Sequence, residues 1–575
     1  MKNWKHTILF TFHLSLFTSA LSLLTTSCVE TDSSLVEFVD DNQLNSPNDT
    51  VYSLVGIIGK MQQVADRSVL LGELRGDLTQ LTADAHLDLQ DIANFQPGQD
   101  NPYVQARDYY AIVQNCNYFL AHADSTLTKR GEKVFLKEIA VVRTYRAWAY
   151  LQLALNYGKV PFFTQPLLTE LEADPARHPH YDLKQIADFL IQDLAPYVDT
   201  PLPQYGGMNG LDSRRFFIPV RVMLGDLCLW SGRYQEAADY YHAYLTKQGD
   251  THPTQVASVG WNDRDFADIS DSYASQFSQS NPGSEFLTVI PMNEQEYDGI
   301  VSTLPDVFGS TQKNSYFYQA THSAAYSELS QGQRFTMVAR DPVTQLPDTI
   351  CPPDTLVYAA DNLKGDLRQQ SIYKLRTEAS TSNTTSSLRQ TNYKYANGGR
   401  YVTLYRLSMV YLRYAEALNR LGLPQTAFAV LKYGLCPDNL IRHIGTQTVD
   451  LLPKWEREKA GDLISFSQYT FTSQNTQGIH SRGCGRADAN NSYVIPACAN
   501  LSDSIMAVED LIVDEMALET ASEGQRWYDL MRVSMHRDDA TYLARKVAGR
   551  AGKANFNDAL YQKLQDRKNW YLPLE

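Results

Sequence analysis

Residues 515–532 read EMALETASEGQRWYDLMR, and this stretch decides the fold. Apolar residues before and within it recur at helical spacing, so the sequence predicts a helix with one apolar face. Glu519 and Glu523 lie four residues apart on that face, although a buried carboxylate is costly unless it is paired. Gly524 follows, and glycine inside a helix costs about 1 kcal/mol relative to alanine. Two carboxylates and a glycine therefore occupy positions where a core is expected.

Three roles are open to this glutamate pair. A glycosidase uses two carboxyl groups about 5 to 10 Å apart, a separation that the pair can provide. A di-iron bundle site uses Glu-x-x-His, but Arg526 stands three residues after Glu523 and, because it stays protonated, it does not ligate metal. An arginine one turn away can instead pair with a buried carboxylate. We therefore predict that Glu519 and Glu523 are structural acids held by Arg526 and by arginines of neighbouring helices. Gly524 would then let another element approach closely.

The chain begins with the order of residues that marks a secretory signal. Two lysines in MKNWKH precede an apolar stretch that runs to TTSC, which ends at Cys28. A cysteine at the cleavage point resembles a bacterial lipoprotein box, so residues 1–27 are predicted to be a signal peptide and Cys28 the lipidated first residue. An uncleaved anchor or an ordinary signal cut nearby is the alternative. Residues 28–50, which are polar and acidic, are predicted to tether the folded body, and the membrane is expected to be contacted only through the lipid.

Composition and charge describe a globular, acidic chain. Of 575 residues, 43% are hydrophobic and 20% charged, and the formal net charge of −14 argues against a nucleic-acid partner. No cysteine pair forms CxxC, so a zinc ribbon is not expected. Cys116 and Cys228 lie in helical patterns and are predicted to be buried thiols. Cys484 and Cys498 share one loop-rich stretch of an exported chain, where they can pair as a disulfide.

Two segments read as copies of one helix pair. When residues 221–245 are aligned with residues 411–435, small residues and a turn fall at the same places, which is the tetratricopeptide plan. Such repeats need about three stacked neighbours, and residues 132–158 are a candidate degenerate copy that ends at Gly158. We predict a helical region over 51–250 with tetratricopeptide-like repeats, and a region over 251–575 with long loops and a further repeat.

Signals for catalysis and metal binding are weak. The HExxH, GxSxG and P-loop motifs are absent from the sequence. GIHSRGCGR (478–486) brings Cys484 near His480, which is conceivable as a nucleophile pair, but a glycine-rich turn is the favoured interpretation. NDRDFADISD (262–271) has oxygen ligands for Ca²⁺ without EF-hand spacing, and a solvated acidic loop is favoured. No cofactor is predicted, and structural calcium stays unsupported.

Six segments, in order along the chain, resemble the SusD/RagB family of outer-membrane nutrient-binding lipoproteins. They are LLGELRGDLT (70–79), ARDYYAIVQNCNYFL (106–120), RTYRAWAYLQLALNYGKVPFF (143–163), RYVTLYRLSMVYLRYAEALNRLG (400–422), EMALETASEGQRWYDLMR (515–532) and NWYLPLE (569–575). The resemblance covers nearly the whole chain after the signal. It implies a mostly α-helical fold in which tetratricopeptide-like helix pairs support an irregular, loop-rich half.

The same resemblance implies a function without catalysis. Family members are held by lipid on the outer surface of the outer membrane and act with a SusC-like TonB-dependent transporter. They capture oligosaccharides or, in some branches, peptides for import. Two other classes stay open at this point. One is a peptide-capture protein of the same family, and the other is a secreted glycosidase or peptidase that uses Glu519 and Glu523, or Cys484 and His480.

The resemblance also suggests where a ligand would bind. Starch-binding relatives use the loop after the first helix pair and loops in the middle of the chain, which correspond here to residues 84–103 and 293–319. Neither loop contains a tryptophan, which argues against starch and leaves the ligand open. The alternative is that the aromatic residues pack beneath the loops. The predicted ligand-binding residues are Phe95, Asn101, Tyr103, Tyr297, Asn314, Tyr316 and Tyr318.

Overall fold

The computed structural model describes thirteen stretches of the chain. Several predicted features lie outside them: the signal peptide 1–27, Cys28, the acidic loop 262–271, Asn314 and Tyr316. The predicted tether 28–50 also lies outside them up to residue 46, and its last four residues already belong to the first helix, which begins at Pro47. The described residues are 47–208, 210–246, 272–278, 281–309, 318–335, 337–340, 347–350, 365–378, 387–434, 437–444, 447–467, 478–485 and 492–574.

Helices make up most of the described structure, as predicted. They are α1 (Pro47–Leu74), α2 (Leu87–Ala93), α3 (Ala106–His122), α4 (Leu136–Tyr157), α5 (Leu183–Leu194), α6 (Val220–Trp230), α7 (Tyr234–Thr246), α8 (Ser272–Ser275), α9 (Leu304–Val307), α10 (Ala324–Gln331), α11 (Leu367–Ile372), α12 (Leu407–Arg420), α13 (Pro424–Lys432), α14 (Pro437–Leu440), α15 (Lys454–Ala460), α16 (Ser481–Cys484), α17 (Leu501–Thr520), α18 (Arg526–His536), α19 (Ala540–Ala548) and α20 (Asp558–Leu564). No helix among the described residues combines the length and the apolar character that crossing a membrane requires.

The strands are short and pair two by two in antiparallel fashion. The pairs are β1 (Thr79–Leu81) with β9 (Ala320–His322), β2 (Thr128–Lys129) with β3 (Glu132–Lys133), β4 (Val160–Pro161) with β5 (His180–Tyr181), β6 (Gly207–Met208) with β7 (Leu211–Asp212), β8 (Phe286–Pro291) with β14 (Tyr401–Arg406), β10 (Met337–Arg340) with β11 (Pro347–Ile350), β12 (Tyr373–Glu378) with β13 (Ser387–Asn392), and β15 (Ile441–Ile444) with β16 (Gln447–Asp450).

The two predicted repeats are helix hairpins that stack on each other. α6 packs on α7, α12 packs on α13, and α7 packs on α12, so the copies are direct neighbours. Gly225 is the small residue of the first copy, and a Cβ there would lie 2.5 Å from the Tyr241 ring. The row continues on the other side through α5, α4 and α3, so the predicted tetratricopeptide-like scaffold is confirmed.

The candidate third copy forms the long helix α4. It ends as predicted, because Gly158 adopts φ +77° and its N–H donates to the Ala154 carbonyl. It begins later than the pattern indicated, since Glu132 and Lys133 belong to the β2–β3 pair and α4 starts at Leu136. Nearly every residue of α4 from Ile139 onward is buried. This helix therefore forms the centre of the scaffold.

The predicted continuous helix through residues 515–532 is wrong in one respect. α17 ends at Thr520, a turn spans 521–524, and α18 begins at Arg526. Ser522 and Gly524 both have left-handed backbone conformations, with φ of +65° and +76°. Glycine adopts this region without steric cost, so Gly524 ends the turn rather than occupying a helix interior.

Gly524 does permit a close approach, as predicted. The turn meets α1 at Gly72, where an added Cβ would lie 1.8 Å from the Gly524 carbonyl oxygen. A Cβ on Gly524 would in turn lie 2.6 Å from the Ser68 carbonyl oxygen. The two backbones therefore touch, and no side chain fits between the first and the last third of the chain at this point.

We expect Gly72→Ala to destabilise the protein by about 2–3 kcal/mol or more, because overpacking a contact that cannot yield is costly. Gly59→Ala is the matched control on the same helix, since a Cβ there meets nothing within 4 Å. That change should be neutral or stabilise by up to about 1 kcal/mol. Urea unfolding of both variants measures the difference, and equal midpoints would contradict the contact.

Candidate ligand-binding site

The two predicted ligand loops meet in the structure, beginning at the β1–β9 pair. Thr79 pairs with His322 and Leu81 with Ala320. Beyond the strands, Thr82 N donates to the Gln319 carbonyl at 2.9 Å, and the Thr82 hydroxyl donates to the Tyr318 carbonyl at 2.8 Å. The pairing joins the start of the first loop to the end of the second.

A second junction lies at residues 302–303, near the start of the second loop. Asp66 of α1 accepts hydrogen bonds from the Ser302 hydroxyl and from the backbone N–H and hydroxyl of Thr303, all at 2.6–2.8 Å. Residues 302–303 of the second loop are therefore fixed to α1, although Asp66 and Ser302 are 236 residues apart in the sequence.

Tyr297 occupies the exposed tip of the second loop. The tip closes where Asn293 N donates to the Ile300 carbonyl at 3.0 Å, and Gly299 at φ +140° completes the turn. Its base is fixed from outside by an ion pair of 3.0 Å between Glu294 and Arg400. The Tyr297 side chain is 86% exposed, so its ring faces are available for stacking.

Phe95 and Asn101 have roles inside the first loop. The Phe95 ring lies 5.2 Å from the buried Trp527 ring, and its carbonyl accepts from Lys563 Nζ at 2.7 Å. Asn101 is buried, where it donates to the Asp88 carbonyl and accepts from Tyr103 N. These contacts agree with the alternative interpretation, in which the loop residues pack beneath the loop. A contact of Phe95 or Asn101 with a ligand stays a prediction.

The remaining predicted residues divide between half-buried positions and positions outside the described stretches. Tyr103 is half-buried, and desolvation together with nearby Asp66 raises the pKa of its phenol. Tyr318 is also half-buried. Asn314 and Tyr316 lie outside the described residues, so their role stays a prediction.

An open polar depression of about 450 Å³ lies beside the first loop and was not predicted. Its lining combines amide, carboxylate and guanidinium groups, which are the groups that hydrogen-bond hydroxyls. The polar, turn-rich run QPGQDNP (96–102) was its only signal in the sequence. The lining residues are Gln99, Asp100, Pro102, Gln105 and Arg107.

Glu519 lies at the centre of a buried ion cluster and not in a cleft. Its carboxylate contacts three guanidinium groups: Arg368 at 3.0 Å, Arg406 at 3.1 Å and Arg482 at 3.5 Å. Although burial opposes ionisation, these arginines hold the pKa of Glu519 well below its ordinary value. Glu519 is fully buried and is paired with arginines, as predicted for a structural acid. These arginines belong to other elements of the structure.

The cluster also satisfies the end of α17. The Glu519 carbonyl is one of the last four of the helix, which have no partner within it. It accepts from Lys394 Nζ at 2.8 Å, from Arg406 Nη2 at 3.1 Å and from the Tyr273 hydroxyl at 2.9 Å. Because cations are favoured at a helix C-terminus, the same groups stabilise the side-chain charge and the helix end.

Glu523 pairs with Arg406 and Lys394, so the prediction that it pairs with Arg526 is wrong. Arg406 Nε lies 2.6 Å from the Glu523 carboxylate, and Lys394 Nζ also contacts it. Arg526 instead forms a bidentate pair with Asp77, with contacts of 2.5 and 3.0 Å. The reason is the turn at 521–524, which ends the helix and separates Glu523 from the face of Arg526.

The geometry around Cys484 does not resemble a nucleophile pair. Cys484 Sγ donates to Asp366 at 3.3 Å, and burial raises the pKa of this thiol well above its ordinary value. His480 Nδ1 lies 2.9 Å from a Glu515 oxygen, with its ring stacked on Tyr493. A nucleophilic cysteine needs an accessible thiolate, whereas this thiol is buried and protonated.

The disulfide that the sequence allows between Cys484 and Cys498 is not formed. Among the described residues Cys484 is a buried free thiol and Cys498 an exposed one. Cys484 lies in the ion cluster next to Asp366, while the Cys498 thiol faces the Pro496 carbonyl. Cys116 and Cys228 are buried free thiols, which confirms the prediction that both are buried.

The described part of the chain holds no group of three or more His, Cys, Asp or Glu side chains that could bind a metal ion.

Comparison with known proteins finds likeness in structure only. No family model matches the chain, and no curated protein matches it in sequence. A SusD superfamily protein from Bacteroides fragilis NCTC 9343 superposes with a TM-score of 0.54 at 16% identity, over 92% of this chain and 96% of that chain. The chain has the SusD-like fold.

Two further structures support the SusD-like fold. A SusD homolog from Bacteroides thetaiotaomicron VPI-5482 gives a TM-score of 0.53 at 15% identity, over 91% of this chain and 93% of that chain. A SusD-like carbohydrate binding protein from Bacteroides vulgatus ATCC 8482 gives 0.51 at 15% identity, over 85% and 83%. The fold expected from the six sequence segments is thereby confirmed.

We expect Glu519→Gln to destabilise the SusD-like fold by about 3–5 kcal/mol, because it leaves buried arginines without their counter-charge. Asp510→Asn on the same helix is the control, since the Asp510 carboxylate is exposed and its partner Arg537 keeps a second ion pair with Glu509. Ion pairs of exposed side chains contribute about 0–1 kcal/mol. Thermal unfolding measures both variants. A Glu519→Gln protein of unchanged stability that lost a hydrolytic activity would instead support the glycosidase alternative.

Glu73 gives the protein a specific dependence on pH. It lies buried at the end of α1, where one oxygen accepts from Ser522 N and the other, Oε2, has no hydrogen-bond partner among the described residues. Desolvation, reinforced by the nearby Glu523 charge, raises the pKa of Glu73 to about 7. A raised folded-state pKa contributes stability that is complete below the unfolded value and is lost as pH rises through the folded value.

We therefore expect Glu73→Gln to remove a loss of stability that the unmodified protein shows between about pH 4.5 and pH 7. Within that window the difference in unfolding free energy between the two proteins should change by up to about 1.4 kcal/mol per pH unit. Chemical unfolding at pH 5, 6, 7 and 8 measures it. Parallel stability curves across this range would show that Glu73 is ionised throughout.

Proposed function

We propose that this protein captures oligosaccharides at the cell surface without modifying them. It would hold them at the loops 84–103 and 293–319 and deliver them to a SusC-like TonB-dependent transporter of the outer membrane. The observation that carries the proposal is the meeting of these two loops at the β1–β9 pair of a protein with the SusD-like fold, with Tyr297 exposed on the second loop. The names of the structural neighbours, one of them a carbohydrate binding protein, support it.

The chemistry of this end of the molecule suits sugars. An exposed tyrosine ring stacks on the apolar face of a pyranose, and the depression around Gln99, Asp100 and Arg107 offers groups that bond hydroxyls. Apolar burial contributes about 25 cal/mol per Å², from which the cost of ordering the ligand is subtracted. We therefore expect a single site to bind in about the micromolar to millimolar range.

Attachment through lipid follows from the predicted signal and from Cys28. The lipid would hold the body outside the outer membrane, and residues 28–50 would separate the two. Capture next to a transporter works with weak, reversible binding, because the cargo must be released. The proposal includes no catalytic step, since Glu519, Glu523 and Cys484 are all buried in one ion cluster.

Peptide capture is the second candidate. Some branches of the family that the sequence resembles bind peptides, and amide, carboxylate and guanidinium groups also bond a peptide backbone. The exposed ring of Tyr297 favours sugars, because a stacking platform is less important for an extended peptide. Cargo class is therefore the first property to measure.

We expect native gels that contain one class of plant, host or microbial polysaccharide to retard the purified protein, with no shortening of that polysaccharide. Tyr297→Ala should weaken this binding about five- to tenfold, because a stacked ring buries roughly 50 Å², worth about 1 kcal/mol. Trp455→Ala is the matched control. Trp455 is an aromatic residue 45% exposed on α15, which packs against α13.

Each other outcome has a distinct meaning. Equal loss of binding in both variants would remove Tyr297 from the site. Shortened polysaccharide would contradict capture without catalysis. If no polysaccharide retards the protein, oligosaccharide capture is overturned in favour of peptide cargo, and co-purification of a TonB-dependent transporter then tests the delivery step.

A further inference from the structure

Gln319, at the end of the second candidate loop, forms hydrogen bonds with both loops. Its backbone N–H donates to the Val307 carbonyl at 2.9 Å, which joins two parts of the second loop. Its backbone carbonyl accepts from Thr82 N at 2.9 Å, and its side-chain Oε1 accepts from His86 N at 2.8 Å. Thr82 leads into the first loop and His86 belongs to it. We call these three hydrogen bonds the Gln319 junction.

The side-chain bond of the junction stabilises the start of α2. His86 is the N-cap residue of this helix, and its Nδ1 accepts from Asp88 N at 3.4 Å. In a capping box, the side chain of the third helical residue bonds the N-cap N–H, but here that residue is the buried, apolar Leu89. Gln319 supplies this bond from the other loop. Since a helix of seven residues is too short to be stable by itself, the start of α2 depends on such contacts.

The first turn of α2 in turn holds the end of the first loop. Asn101 Nδ2 donates to the Asp88 carbonyl at 2.9 Å, and Asn101 Oδ1 accepts from Tyr103 N at 3.0 Å. Asn101 is buried, and its chain neighbours Asp100 and Pro102 line the polar depression. Two hydrogen-bonded steps therefore connect the Gln319 junction to the depression, and a displacement of the start of α2 displaces the lining of the depression.

We propose that the Gln319 junction holds the second loop and the polar depression in one fixed arrangement, so that Gln319 sets the affinity for an oligosaccharide without contacting it. This inference rests on the proposed function for the identity of the site, but not for the coupling of the loops. The His86 side chain is 71% exposed, so the junction lies at the surface and not in the core. Gln319 is a positioning residue in this proposal.

Hydrogen exchange of the purified protein without any glycan tests the coupling. Gln319→Met removes the Oε1 acceptor from a side chain of similar length, and we expect it to increase amide exchange at least tenfold at residues 86–90. The increase should extend to residues 101–104, which Gln319 does not itself bond, because a local opening spreads through a cooperative unit. Gln319→Glu keeps an acceptor oxygen for the His86 N–H and should restore the protection of both segments.

Gln63→Met is the matched control, because Gln63 is exposed on α1 and glutamine and methionine have similar helix propensities. It should leave hydrogen exchange in both segments unchanged. Exchange that rises at residues 86–90 alone, or at neither segment, in Gln319→Met would overturn the proposal, because the depression would then be independent of the junction. Faster exchange over the whole chain in Gln319→Met, without rescue by Gln319→Glu, would show a merely structural role.

Binding provides the second readout, on gels containing the polysaccharide that most strongly retards the unmodified protein. Gln319→Met should bind at least fivefold more weakly than Gln319→Glu at equal thermal stability. Unweakened binding by Gln319→Met would contradict control of affinity by the junction. Equal weakening in both variants, with hydrogen-exchange protection restored in Gln319→Glu, would show that Gln319 contacts the cargo directly and would overturn its positioning role. If no polysaccharide retards the unmodified protein, the proposed function fails while the exchange experiment still decides the coupling.

Discussion

The buried end of α17 is the constraint on which the rest of the structure depends. A helix terminus leaves carbonyl groups without partners, and here that terminus lies in the interior beside Glu519 and Glu523. Neither the carbonyls nor the carboxylates can be buried alone, because each would lose its interactions with water. Arg368, Arg406 and Arg482 satisfy the Glu519 carboxylate, and each arrives on a different segment of the chain.

The ion cluster therefore forms only when distant segments are in place together. Arg406 ends β14, Arg482 lies in α16, and Arg368 begins α11 close to Asp366. Long-range pairs of this kind make a fold specific, since a segment placed wrongly leaves a buried charge unpaired. The turn after α17 adds a second restriction, because Gly524 meets Gly72 backbone to backbone. Together they fix α1 against the C-terminal helices.

The position of α1 then determines the candidate site. Its last turns carry the buried Gly72, while Asp66 and Arg67, about two turns earlier, reach the loops at the surface. β1 follows α1 directly and pairs with β9 at the other side of the same loops. One helix thus links the buried cluster to the surface where ligand is proposed to bind.

Much of this architecture could be predicted from the amino-acid sequence, because helical periodicity and small residues at repeat positions are local properties of the sequence. Residues 221–245 and 411–435 indicated two stacked hairpins, the glycine in 515–532 indicated a close approach, and paired acids there indicated a structural role. The residues that pair with Glu519 and Glu523 could not be predicted from local sequence patterns. Arg368, Arg406 and Lys394 are more than 110 residues from the glutamates they bind. Only the tertiary structure decided that Arg526 pairs with Asp77, that Cys484 and Cys498 stay apart and that Phe95 packs on Trp527 while Tyr297 is exposed. It also decided that Asp66 binds residues 302–303, because each of these contacts depends on which distant surfaces meet.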